Sequence, residues 1–275
     1  MTRIALFQST TGIDPADNRE KLVGAVKTAA EGGAEILFTP EMSGLLDRDS
    51  ARAAGNLNAQ DDDQVLAAAR EAAARNRIWL HIGSPAVLVG DGKVANRSFV
   101  IDREGEIRAT YDKLHLFDVD LPTGETWRES NVYSAGSGVV LINGTPVGKL
   151  GLTICYDLRF PGLFARLAES DADVIAVPAA FTVPTGKAHW HVLLRARAIE
   201  AGLFVVAAAQ VGHHEDGRHT FGHSLVVDPW GEVLLDMGDQ PGVGFADVDL
   251  SRISDVRSRI PALNHRRPIP DAVTL

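Results

Sequence analysis

A single cysteine, Cys155, stands in the run Gly151-Leu152-Thr153-Ile154-Cys155-Tyr156-Asp157-Leu158-Arg159-Phe160-Pro161. An apolar, strand-like stretch leads into it, and a helix-like stretch opens at Pro161. A thiol at such a turn is exposed at a sheet edge. Backbone N–H groups there can serve an oxyanion, and the helix dipole favours thiolate. A lone cysteine without context reads as a buried structural thiol. The polar cluster Tyr156-Asp157-Leu158-Arg159 moves the reading toward a nucleophile, because a core cysteine does not need one.

Other residues could serve that thiol. Glu41 follows Leu37-Phe38-Thr39-Pro40, at the C-terminal end of a buried strand, where α/β folds place their ligands. It reads either as a general base or as a helix-start or solvated loop charge. Lys113 lies in Tyr111-Asp112-Lys113-Leu114-His115-Leu116-Phe117-Asp118, an alternation that would hold one side inward. A lysine after a strand is ordinarily solvated; beside a carboxylate, buried, it could stabilise an oxyanion. His115 reads as a hydrogen-bonded, partly buried imidazole, and Glu129 in Trp127-Arg128-Glu129-Ser130 says little alone. His213, His214, His219 and His223 raise the idea of zinc. Their spacing fits no metal-ligand template and no cysteine lies near, so loop histidines account for them better. The glycine-rich stretches lack phosphate-binding spacing. No metal and no cofactor is expected.

The elements that must position these residues alternate. Ile4 to Gln8 reads as a buried strand. Asn18 to Glu31 carries Leu22, Val23, Val26 and Ala30 on a helical period, stopped by Gly32-Gly33. Ile36 to Phe38 is a strand, Asp62 to Arg75 an alanine-rich helix, and Trp79 to Gly83 a strand. Val87 to Val89, the Gly90-Asp91-Gly92 turn and Ala95 to Asp102 read as a hairpin, followed by Ile107 to Tyr111. In the second half, Val139 to Ile142 and Val147 to Ile154 look paired around Asn143-Gly144. Pro161 to Glu169 and Ala188 to Ala201 read as helices, the latter stopped by Gly202. Val174 to Val177, Leu203 to Ala209, Ser224 to Val227 and Val243 to Val248 read as strands, with a Pro229-Trp230-Gly231 turn. These βα units and hairpins imply a layered α/β domain with a mixed sheet. The Arg- and Pro-rich stretch after Leu250 reads as an arm or a surface-packed tail.

The bulk properties bound the function. The 275 residues are 45% hydrophobic and carry a formal charge of −9. An acidic chain without a basic stripe argues against a nucleic-acid binder. No apolar run reaches the ~18 residues of a membrane helix, and the first residues do not read as a signal peptide. One cysteine excludes an intrachain disulfide and suits a reducing compartment, so a cytoplasmic protein is expected.

Taken together and in order, Phe38-Thr39-Pro40-Glu41, Lys113-Leu114-His115-Leu116-Phe117-Asp118 and Cys155-Tyr156-Asp157-Leu158-Arg159-Phe160-Pro161 resemble the nitrilase superfamily, the carbon–nitrogen hydrolases. The resemblance runs from Ile4 to about Pro268. It implies a four-layer αββα sandwich of two related halves, with residues 1–250 as the hydrolase domain and 251–275 as an arm packing on it or on a neighbouring subunit. It implies a Glu41–Lys113–Cys155 triad, with Glu129 as the family's second glutamate. It also implies a homodimer or higher homo-oligomer.

Within the family, Pro178-Ala179-Ala180-Phe181 and His189-Trp190 look like the branch of small amidases acting on 2-oxo acid amides. Many members carry Asn-Arg where this chain has Gln210-Val211. That departure, with Gly222-His223-Ser224, Asp228-Pro229-Trp230-Gly231 and His265-Arg266-Arg267-Pro268, resembles the deaminated glutathione amidase branch. The related ω-amidases have an asparagine where this chain has Thr182. The substrate implied is a small anionic amide cleaved through a thioester, with Tyr156, Arg159, Phe181 and Thr182 as candidate binding residues. Arg159 is the candidate carboxylate clamp, its alternative being an ion pair with Asp157 or with an acid at an interface. The rival activities are ω-amidase, N-carbamoyl amino acid hydrolase and nitrilase; a binding protein on a hydrolase scaffold is the rival outside enzymes.

Overall fold

Asp14 opens the first helix: its backbone is extended, its carboxylate accepts the Ala16 N–H, and Pro15 takes the first helical position, where its missing N–H costs nothing. In this computed structural model, which describes residues 1–120, 124 and 126–274, that helix is α1 (Pro15–Glu31). It is followed by α2 (Ser50–Ala54), α3 (Gln64–Asn76), α4 (Pro161–Glu169), α5 (Val183–Ala201) and α6 (Ser251–Arg259). Asp63 caps α3 by accepting the Leu66 N–H, and Gly202 ends α5 in the left-handed region.

Two sheets form the interior. In the first, the spatial order is Gly242–Val248, Thr2–Gln8, Ile36–Phe38, Trp79–Ile82, Lys93–Ile101, Ala86–Val89 and Asn58–Ala59, with Ile107–Asp112 also paired to Lys93–Ile101. In the second it is Leu141–Thr145, Gly148–Leu152, Val174–Ala176, Phe204–Ala207, Leu225–Val227 and Val233–Asp236. Each sheet is centred on three parallel strands: Thr2–Gln8, Ile36–Phe38 and Trp79–Ile82 in one, Gly148–Leu152, Val174–Ala176 and Phe204–Ala207 in the other. Helices α1 and α3 connect the first three, and α4 and α5 connect the second three. The chain thus repeats one design twice.

Strand alternation sets the layers. Ile4, Leu6, Ile36, Phe38 and Val100 face a core shared with the second sheet. Ala5, Leu37, Leu80, Phe99 and Ile101 face the other way, onto Leu22, Ala25, Val26 and Ala29 of α1 and Leu66, Ala69 and Ala73 of α3. Leu163, Phe164 and Leu167 of α4 and Trp190, Leu194 and Ala198 of α5 cover the second sheet. The architecture is a four-layer αββα sandwich. The two halves approach closely at the C-terminal ends of their parallel strands, where a bridge joins Ser9 to Gln210. At Gly83 a Cβ would lie 2.2 Å from the Thr39 carbonyl oxygen and 2.4 Å from Pro178 Cβ, so only glycine fits between the halves there.

Several boundaries differ from the sequence expectation. Helix α5 begins at Val183, not Ala188, because Pro184 is accepted in the first turn. The buried face of α1 is Leu22, Ala25, Val26 and Ala29; Val23 and Ala30 are only half-buried, since a helical stripe also takes small residues. Asn143-Gly144 is not the hairpin turn. Both residues lie in Leu141–Thr145 at a register shift, and the chain reverses at Pro146-Val147. Two short antiparallel strand pairs have no counterpart in the sequence expectation: Asp118–Asp120 with Thr126–Arg128, and Val211–His213 with His219–Phe221. After Leu250 the chain forms α6, with Ile253 buried and Arg257 donating to the carbonyls of Gly202 and Ala172. Arg266 reaches the Ala165 carbonyl and Glu169 on α4. No helix among the described residues is long and apolar enough to cross a membrane.

Candidate active site

Buried polar groups gather where the two sets of strand ends meet. Thr39-Pro40 ends the Ile36–Phe38 strand, and the Thr39 hydroxyl accepts the Gly83 N–H and the Ser43 hydroxyl. This turn carries Glu41 into the interior, where it is 4% exposed. Lys113 leaves Ile107–Asp112 with its N–H on the Asn96 carbonyl and its own carbonyl accepting from Gly136. Its side chain is 2% exposed. Lys113 Nζ lies 2.9 Å from Glu41 Oε1 and 2.8 and 3.0 Å from the two oxygens of Glu129. Asn96 Nδ2 donates to both carboxylates, at 2.9 Å to Glu41 and 3.1 Å to Glu129. The Ala180 N–H donates to Glu41 Oε2, and the Phe117 N–H to Glu129 Oε2. The buried Glu41 and the partly buried Glu129 are therefore paired and hydrogen-bonded, the condition under which buried charge is tolerated.

Cys155 enters this cluster from the second sheet. It opens a 3₁₀ turn, Cys155–Arg159, and holds φ at +49°, a region that a non-glycine residue occupies at a cost. The turn is clamped by Asp157, whose side chain is fully buried. Asp157 accepts from the Ile154 N–H, the Tyr111 hydroxyl, the His115 N–H and His115 Nδ1. The Cys155 N–H goes to the Pro178 carbonyl at 2.8 Å, while the Tyr156 N–H has no acceptor among the described residues. A backbone donor beside the thiol is thus left for a ligand.

The electrostatics assign the proton. Burial alone would raise the Glu41 carboxyl, but the Lys113 charge and hydrogen bonds from Cys155, Lys113 and Asn96 outweigh it and hold Glu41 below its ordinary value. Burial opposes the Lys113 ammonium, yet Glu129 and Glu41 keep it charged to well above the usual range. Burial and the Glu41 charge push the Cys155 thiol well up, against the pull of Lys113. This corrects the expectation that a helix dipole would favour thiolate. Helix α4 starts at Pro161, too far along to act on sulfur, and the thiol rests neutral beside an ionised carboxylate.

The structure brings together Glu41, Lys113, Glu129 and Cys155. Tyr156, Arg159 and Phe181 line up beside them: the Arg159 guanidinium lies 5.9 Å from the Tyr156 ring centre and 5.4 Å from that of Phe181. Arg159 does not pair with Asp157; its hydrogen bond among the described residues goes to His189 Nδ1 at 3.2 Å. Thr182 precedes α5, its hydroxyl 2.8 Å from that of Thr185. The four loop histidines do not converge. His213 and His219 stack, His214 is buried against Thr11 and Thr220, and His223 meets Asp236, which also contacts His191. Sequence reasoning missed Asn96 and the Ala180 N–H, and took Gln210, whose Nε2 holds the Glu41 carbonyl at 2.9 Å, only as a mark of the branch. An asparagine within the Lys93–Ile101 strand, where that residue type is disfavoured, was the available signal for Asn96.

Comparison with known proteins agrees with this geometry. The carbon–nitrogen hydrolase family profile matches residues 3–258. The deaminated glutathione amidase of Dictyostelium discoideum is 39% identical, over 97% of this chain and 94% of that one. The crystal structure of the C. elegans NitFhit protein superposes with a TM-score of 0.90 at 37% identity, covering 97% of this chain and 65% of that one. An amidase from Nesterenkonia sp. AN1 matches with a TM-score of 0.82 at 26% identity, covering 97% of this chain and 94% of that one. That structure is of a glutamate-to-glutamine mutant with the acetamide moiety of fluoroacetamide added covalently at the active-site cysteine.

Proposed function

Because the chain belongs to the carbon–nitrogen hydrolase family, in its deaminated glutathione amidase branch, and is a cysteine-dependent hydrolase of amides, we propose that it cleaves the amide of deaminated glutathione to 2-oxoglutarate and cysteinylglycine through a thioester on Cys155. The observation that carries this reading is the neutral thiol beside the ionised Glu41, with the Lys113 ammonium held between Glu41 and Glu129.

Glu41 takes the proton from Sγ as sulfur attacks the amide carbonyl carbon. The oxyanion is held by Lys113 and the Tyr156 N–H. Lysine has three N–H donors. One N–H to Glu41 and one shared between the two oxygens of Glu129 leave the third for the oxyanion. Glu41 then delivers its proton to the leaving nitrogen, the C–N bond breaks, and a thioester remains. Water gives a proton to Glu41 and attacks the thioester; collapse releases the acid, and the proton returns to sulfur. Glu129 orients Lys113. Arg159 receives the carboxylate of the 2-oxo acid as a fork, and Tyr156, Phe181 and Thr182 wall the acyl pocket. The same reading includes a homodimer or higher homo-oligomer in the cytoplasm. Exposed Val192 and Ile199 on α5 support the assembly, and the single reduced cysteine supports the compartment.

A panel of deaminated glutathione, 2-oxoglutaramate, an N-carbamoyl amino acid and a simple nitrile tests the reading on purified protein, with Cys155→Ala as the control. The highest kcat/KM is expected for deaminated glutathione. A clear preference for 2-oxoglutaramate would make the protein an ω-amidase, and turnover of the last two alone would overturn the acyl assignment.

A further inference from the structure

The wall beside the nucleophile continues past the groups used so far. From Arg159 it runs over Tyr156 to Phe117, whose ring centre is 5.0 Å from that of Tyr156, and on to Trp127 at 6.3 Å. Arg218 closes it, its guanidinium 5.2 Å from the Trp127 ring centre. An arginine therefore stands at each end of one aromatic strip. The strip is tied to the reacting centre: Phe117 donates its N–H to Glu129. Trp127, in Thr126–Arg128, is two residues before Glu129, which opens the next 3₁₀ turn.

Arg218 is fixed and yet free at its tip. Its Nε bonds to Asp216, a fully buried carboxylate that also takes the Arg48 and Arg218 N–H groups. Its two terminal nitrogens have no acceptor among the described residues, and the side chain is 20% exposed. The Trp127 Nε1–H beside it is buried and also lacks an acceptor. Two kinds of unpaired donor, a partly exposed guanidinium edge and a buried indole N–H, thus sit together at this end of the aromatic strip. A buried donor without a partner is unfavourable in the empty protein and becomes a source of selectivity when a ligand supplies the acceptor.

We propose that Arg218 and Trp127 form a second carboxylate subsite that receives the acid group of the leaving amine. This rests on the amidase reading above. The two ends of the wall divide the substrate by reach. Arg159 belongs to the same short turn as Cys155, so it serves the acyl group that becomes bonded to sulfur. Arg218 lies beyond Phe117 and Trp127, so it serves the part of the substrate farthest from the thioester. The site thereby selects amides in which both the acyl and the amine portions are anionic, such as an amide formed with a C-terminal dipeptide.

Two substrates with the same acyl group test this: deaminated glutathione, and the N-propylamide of 2-oxoglutarate at its C5 carboxyl. The wild type should bind the first with a KM about ten- to a hundredfold lower, the range for a charge-assisted hydrogen bond. Arg218→Gln should collapse that ratio toward one. Arg218→Lys keeps the cation and the pairing with Asp216 but loses the fork, and should reduce the ratio even if Arg218→Gln fails to fold. Trp127→Phe should reduce it by a smaller factor. Equal KM values for the two amides in the wild type, or a ratio unchanged in Arg218→Lys and Trp127→Phe, would overturn the subsite. Failure of the wild type on both amides would instead remove the amidase reading.

Discussion

Replacing Lys113 by Met removes the one cation between two buried carboxylates. In the intact protein its Nζ lies 2.9 Å from Glu41 and 2.8 Å from Glu129. At an effective dielectric of about 20, each contact is worth about 6 kcal/mol of attraction before desolvation. Desolvation offsets most of that, and removing one partner from a buried pair costs about 3–5 kcal/mol. The loss would be a large share of a typical total of about 5–15 kcal/mol. The pH dependence should also change sign. In the wild type, Glu41 is held below its ordinary value, so its contribution is present at neutral pH and is lost only as pH falls through that depressed value. In Lys113→Met, two carboxylates share the Asn96 amide with no cation, so one must take up a proton and its folded value rises above the unfolded one. Stability is then greatest in acid and falls as pH rises. Urea unfolding followed by fluorescence at about pH 5, 6.5 and 8 measures both effects. Amide turnover should drop by about 10²–10³ with the lost oxyanion donor. A variant within about 1 kcal/mol of wild type, equally stable across that range, would refute the claim that Lys113 neutralises this pair.

Other outcomes follow from the same site. The pH–kcat/KM profile should stay level through neutral pH and fall on the acid side only as Glu41 protonates, below the ordinary carboxylate range; an acid limb near pH 6–7 would mean that a group of histidine type is essential. Arg159→Gln should raise KM for 2-oxo acid amides by about tenfold or more, with a smaller effect on kcat; an unchanged KM would move the acyl carboxylate elsewhere.

How far the sequence could be read depended on whether a signal was local. Strand and helix periodicity is local, and it located the parallel strands and most helices. The three motifs around Glu41, Lys113 and Cys155 are local too, so the centre of the site was legible before any coordinates. What lay beyond reach were contacts made by distant segments. Asn96 bridges Glu41 and Glu129 across separations that no spacing rule covers. Asp157, the alternative partner for Arg159, is spent on Tyr111, His115 and the Ile154 N–H. The Asn143-Gly144 turn signal was overridden by strand pairing, and helix α5 began earlier than its apolar stripe because its first turn is built from Val183, Pro184 and Thr185. The state of Cys155 was misjudged for a similar reason. A dipole argument sees the helix ahead, whereas the thiol responds more to burial and to the Glu41 carboxylate beside it.

The central claim is that Cys155 becomes acylated. Glu41 serves both formation and hydrolysis of the thioester, so the direct test is a rapid acid quench of the wild-type protein during turnover of deaminated glutathione, followed by intact-protein mass spectrometry. The account predicts a mass increase equal to the 2-oxoglutaryl group, mapped to Cys155 by peptide digestion and absent in Cys155→Ala. Hydrolysis by Cys155→Ala at a rate near that of wild type, or an adduct mapped to any other residue, would contradict it.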